Sequence, residues 1–138
     1  ERGRDYAKYF DVDFVICDKH RKKANKIKTM QVIGDVEGKD VVLVDDLIDT
    51  GGTISKASNL IMEKGAKSVR AIITHPVLSG NAEENINSSS LKELVVTDSI
   101  PLKFKNKKIK VLSIAGLFAK AIRKIHENES TSSLFINR

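Results

Sequence analysis

One cysteine, Cys17, in 138 residues rules out a disulfide framework within the chain. A free thiol in an apolar, strand-like segment suits a reducing compartment, so a cytoplasmic location is expected. No uncharged apolar run approaches the ~20 residues that a membrane helix needs. Glu1–Arg4 has none of the apolar character that opens a signal peptide, and no membrane role is expected. The first residue is not Met, and Glu1–Phe10 reads as a helix that should follow a strand and a turn. The chain is therefore expected to start part-way through a structural unit, with the first strand of its fold missing. Internal repeats and low-complexity tracts are absent. So are the two common glycine signatures for phosphates, G-x-x-x-x-G-K-[ST] and G-x-G-x-x-G. No Cys/His cluster has zinc spacing, no Ser/His/Asp arrangement is suggested, and no metal ligand is expected within the chain.

What is present is 41% hydrophobic and 30% charged, the composition of one ordinary globular domain over residues 1–138. The net charge of +6 is concentrated: residues 19–28 hold six Lys/Arg and no Asp/Glu, so the rest is balanced at 18 of each sign. One basic loop on a neutral domain fits a local anionic ligand. A groove that tracks a nucleic-acid backbone needs cations spread along a face. No nucleic-acid partner is expected, although Lys103–Lys110 forms a second, weaker basic cluster.

Short β-branched runs alternate with segments of helical period, the pattern of an α/β fold with a mainly parallel sheet flanked by helices. Strands are expected at Phe14–Cys17, Met30–Ile33, Val41–Val44, Val69–Thr74, Leu94–Thr97 and Ile109–Ser113. Thr53–Lys64 places Ile54, Ala57, Leu60 and Ile61 on one face and stops at Gly65, so Val41–Thr74 is the clearest βαβ unit. Asn81–Ser88 and Gly116–His126 read as further helices. The latter carries Leu117, Ala121, Ile122 and Ile125 as a stripe expected to dock on the sheet. Residues 130–138 are polar with an apolar patch at Leu134–Ile136, which predicts docking onto another surface.

The strongest chemical signal is Val41-Val42-Leu43-Val44-Asp45-Asp46-Leu47-Ile48-Asp49-Thr50-Gly51-Gly52-Thr53. An apolar strand turns acidic, then glycine-rich, just ahead of a helix. Ligands of open α/β sheets bind at this carboxyl edge. Gly51 and Gly52 permit tight turning and close approach, Thr50 and Thr53 add hydroxyl donors, and the helix N-terminus favours negative charge. Carboxylates beside a bare anion oppose its binding, so the ligand should also carry hydroxyls for them to accept. A sugar phosphate meets both demands. Neighbouring strand residues point to opposite faces, so one of Asp45 and Asp46 faces the sugar; periodicity leaves open which. The alternative is that Asp49 or Thr50 caps the helix and the glycines only make the turn. Histidines are less informative: His75 reads as hydrogen-bonded and structural, and His126 as surface.

Val41–Thr53 resembles the PRPP-binding motif shared by type I phosphoribosyltransferases and phosphoribosyl-pyrophosphate (PRPP) synthetases, that is, ribose-phosphate pyrophosphokinases. The flanks separate the two. Asp18–Asn25, Val32–Val36, Thr74–Gly80 and Glu93–Pro101 are similar to PRPP synthetases in order and spacing, specifically to their C-terminal half. The resemblance implies a phosphoribosyltransferase-like (Rossmann-like) domain. The implied reaction transfers diphosphate from Mg-ATP to the C1 hydroxyl of ribose 5-phosphate, giving PRPP and AMP. It further implies Lys19 as catalytic lysine with Arg21 beside it in a mobile loop, Asp49, Thr50, Gly51, Gly52 and Thr53 around the 5-phosphate, and Asp45 on the ribose hydroxyls, with Asp46 next to it. Mg2+ ligands and ATP-binding segments belong to the family's other half. A homo-oligomer is implied for the full-length enzyme, with residues 130–138 docking on its N-terminal domain and no activity for this chain alone. A phosphoribosyltransferase and a non-catalytic synthetase-associated regulatory protein are the alternative readings.

Overall fold

The computed structural model describes the backbone of residues 2–20 and 29–135 and the side chains of 3–18 and 30–135. In chain order the elements are α1 (Arg2–Phe10), β1 (Ile16–His20), β2 (Thr29–Ile33), β3 (Asp40–Ile48), α2 (Gly52–Glu63), β4 (Ser68–Pro76), α3 (Ala82–Ser88), β5 (Leu91–Thr97), β6 (Ile109–Leu112) and α4 (Ala115–His126), followed by a 3-10 turn at Ser132–Leu134. Strands β3-β4-β5-β6 form a parallel sheet in that order, while β1 and β2 make a separate antiparallel pair. The α/β expectation holds, with two of the six expected strands standing outside the parallel sheet.

The core lies on one sheet face. Alternation along each strand turns Val69, Ala71 and Ile73 of β4 and Leu94 and Val96 of β5 the same way. Against them pack Ile54, Ala57 and Ile61 of α2 and Ala82 and Ile86 of α3, all buried. Helical period supplies that stripe on α2, and Gly65, at φ 89, ends it just beyond the C-cap Lys64. The end of α3 is held differently. The Lys108 ammonium donates to the carbonyls of Ile86, Asn87 and Ser89 at 3.0, 3.1 and 2.7 Å, satisfying groups that a helix C-terminus leaves without partners.

Several expectations change. Strand β1 is Ile16–His20 rather than Phe14–Cys17, β4 runs on to Pro76 and β5 starts at Leu91 rather than Leu94. β3 does not stop at Val44 but runs through Asp45 and Asp46 to Ile48, in parallel register with β4 as far as Ile48 beside Pro76. Tertiary pairing outweighs the poor strand propensity of aspartate. The stripe of α4 is not docked: none of its residues is buried, and Ile122 and Ile125 are 64% and 66% exposed. Helical period reports that a face is apolar and is silent about what covers it. The sheet face opposite the core leaves Val42, Val44, Ile72 and Leu112 similarly exposed.

Candidate functional site

Seven of the expected site residues follow one another closely along the chain, from Asp45 and Asp46 in β3 through the turn 49–51 to Gly52 and Thr53 at the start of α2. Asp45 lies in register with Ile73, on the face that α2 covers, and Asp46 follows on the opposite side. Both are exposed, and the Asp45 carboxylate accepts the Asp46 N–H at 2.9 Å. After Ile48 the chain leaves the sheet through Asp49 and Thr50, both exposed, and reaches Gly51 at φ 72, ψ −3. That left-handed conformation is the N-cap of α2, and Ser55 N–H closes the first turn onto the Gly51 carbonyl at 2.9 Å. Glycine is required here by φ more than by space, because a Cβ would meet Asn85 Cβ at 3.6 Å, ordinary contact.

The capping alternative does not describe this turn. The N-cap is Gly51, with no side-chain cap, and the Asp49 carboxylate instead accepts the Ser79 hydroxyl. The first N–H groups of a helix have no acceptor inside it, and with the helix dipole they make a site for negative charge. The turn therefore combines a helix N-terminus, exposed Thr50 and Thr53 and the exposed Asp49 carboxylate, with exposed Asp45 and Asp46 just upstream on opposite faces of β3. Such a site suits a phosphate bearing a hydroxylated group better than a bare anion.

A second turn stands beside it at the ends of β4 and β5. His75 Nδ1 and Ser99 Oγ share a hydrogen bond of 2.9 Å, and Thr97 Oγ1 donates to the Thr74 carbonyl at 2.7 Å. Asp98 accepts the Ile114 N–H at 2.9 Å. Hydrogen bonds from Ser113 and then from that backbone amide hold its carboxyl below the usual aspartate range. The His75 ring is thus hydrogen-bonded, as expected from the sequence.

Of the two cationic site residues, Lys19 has its backbone in β1, opposite Met30, and its side chain lies outside the described residues. Arg21 lies outside them entirely. Among the described residues no group of three or more His, Cys, Asp or Glu side chains is arranged to hold a metal ion. No helix among them is long and apolar enough to cross a membrane. Two residues next to the turn were not singled out from sequence. Ser79 stood only inside the Thr74–Gly80 resemblance, and Asn85 had no signal, since its role depends on α3 packing behind the loop.

Residues 11–136 match the family model of the phosphoribosyl synthetase-associated domain. The chain belongs to that family. Ribose-phosphate pyrophosphokinases from Campylobacter jejuni and Wolinella succinogenes are 57% and 54% identical to it over 135 residues, 98% of this chain and 44% of each relative. The crystal structure of phosphoribosylpyrophosphate synthetase from Mycobacterium smegmatis superposes with a TM-score of 0.79 at 38% identity, covering 92% of this chain and 42% of that one. The chain thus spans under half the length of these relatives. By name they are ribose-phosphate pyrophosphokinases and a phosphoribosylpyrophosphate synthetase.

Proposed function

We propose that this chain is the C-terminal, ribose 5-phosphate-binding half of a PRPP synthetase. The observation that carries the reading is the end of β3, where two carboxylates are followed within one turn by an uncapped glycine-initiated helix. The 5-phosphate would rest on the Asp49–Thr53 turn and the α2 N-terminus, and Asp45 would accept the ribose hydroxyls. In the reaction, the C1 oxygen bonds to the β-phosphorus of ATP while the bond from that phosphorus to the AMP oxygen breaks. Lys19 and Arg21 are assigned to the charge of the transferring phosphates, on the resemblance and on their place in a segment free of carboxylates.

Mg2+ takes oxygen ligands and is commonly held by one or two carboxylates together with substrate phosphates. Its ligands would come mainly from the enzyme's other half, with the exposed Asp45 carboxylate beside the ribose, and the ion would neutralise the charge of the nucleotide phosphates. The working enzyme is proposed to be cytoplasmic and homo-oligomeric. The tail around exposed Phe135 would dock on its N-terminal domain, and this chain alone would have no activity.

Calorimetric titration tests the reading. Ribose 5-phosphate should bind and ribose should not; equal binding of both, or stronger binding of single-stranded DNA, would refute it.

A further inference from the structure

We propose that Ser79 and Asn85 are positioning residues that set the Asp49–Thr53 turn in its anion-accepting shape before ligand arrives; the identity of that anion rests on the function proposed above. Three successive carbonyls at the end of β3 are tied to the segment 78–85. Leu78 N–H donates to Ile48 O at 3.2 Å, Ser79 N–H to Asp49 O at 3.2 Å, and Asn85 Nδ2 to Thr50 O at 2.8 Å. The peptide unit is planar, and in its trans form C=O and the following N–H point in opposite directions. Drawing those carbonyls toward 78–85 therefore aims the N–H groups of Asp49, Thr50 and Gly51 the other way.

The same two side chains act at a second level. The Ser79 hydroxyl donates to the Asp49 carboxylate and so orients it. Asn85 Cβ backs Gly51, and its Nδ2 stands 3.9 Å from where a Cβ on Gly52 would lie. Ser79 is delivered by a buried non-glycine residue in the left-handed region, Leu78 at φ 49. A conformation of that cost persists only where its surroundings enforce it. Here the enforcement comes from Leu78 packing in the core and from its amide on Ile48 O.

The test uses the whole chain with Ser79→Ala, Ser79→Thr, Asn85→Ala and Asn85→Asp. The first readout needs no ligand: in the alanine variants and Asn85→Asp, amide resonances of residues 49–53 should shift or broaden while those of Ile61 and Ile73 stay in place. The second is affinity for ribose 5-phosphate, expected to fall about fivefold per lost hydrogen bond and to return in Ser79→Thr, which keeps the hydroxyl. A merely structural role would lower thermal stability without this rescue pattern. Should Ser79→Ala unfold, Asn85→Ala decides, because it removes the donor to Thr50 O without the charge that Asn85→Asp adds beside the turn. Unchanged turn resonances and affinity in Asn85→Ala would overturn the proposal. If the parent chain binds no ribose 5-phosphate, the assigned ligand fails, while the ligand-free resonances still decide the positioning role.

Discussion

At the scale of single residues, Asp45 and Asp46 separate two effects that a phosphate site with carboxylates must combine. A carboxylate that accepts sugar hydroxyls contributes a charge-assisted hydrogen bond, and the same charge repels the phosphate. Asp45→Asn is expected to weaken ribose 5-phosphate binding about tenfold or more while leaving inorganic phosphate as tight or tighter. Asp46→Asn should show a smaller loss. Paired titrations of both ligands check this, and a larger loss in Asp46→Asn would reverse the assignment. Gly51 is a conformational position: at φ 72 with room for a Cβ, Gly51→Ala should cost about 1–2 kcal/mol, read as a lower urea midpoint. Much of the turn was legible in sequence because its residue types answer to local chemistry. Ser79 and Asn85 were not, because what they do depends on α3 standing behind the loop.

At the scale of elements, identical substitutions should have unlike costs. Ile73 is buried between the sheet and the helices, whereas Ile122 on α4 is largely exposed. Ile73→Ala is expected to destabilise by about 2–5 kcal/mol and Ile122→Ala by no more than about 0.5 kcal/mol. Denaturant unfolding of the two variants compares them directly. The helices were read to within a residue or so from their 3.6-residue period; the β-branched runs located the strands but not their ends, since β1 is Ile16–His20 rather than Phe14–Cys17 and β5 starts at Leu91 rather than Leu94. Periodicity failed where the outcome depends on a partner. It placed the α4 stripe against the sheet, and it ended β3 at Val44 because aspartate is a poor strand former when judged alone. It also could not tell that, among the described residues, β1 and β2 form a sheet of their own, since antiparallel and parallel partners draw on the same residue types.

For the molecule as a whole, four carboxyls among the described residues, those of exposed Asp35, Asp40 and Asp98 and of half-buried Glu93, are held below their ordinary range. Asp35 is lowered by the Glu37 amide and then by Lys39, Asp40 by the Ser68 hydroxyl, Glu93 by Lys110 and Asp98 by Ser113. A depressed folded-state value contributes stability above the unfolded value, and that contribution is lost as pH falls through the folded one. The urea midpoint should therefore hold steady from neutrality to about pH 5 and fall below about pH 4. Asp98→Asn should make the decline shallower, and an equally steep decline in that variant would count against the contribution assigned to it. The basic character of the chain is partly structural as well, because Lys108 holds the end of α3 and Lys110 pairs with Glu93 at 2.5 Å. The most direct measurement is to follow the backbone amides of Gly51, Gly52 and Thr53 by NMR during titration with ribose 5-phosphate, with ribose as control. Selective, saturable shifts at those amides are predicted; a folded chain in which they do not move, or in which ribose moves them equally, would contradict a sugar-phosphate site at the end of β3.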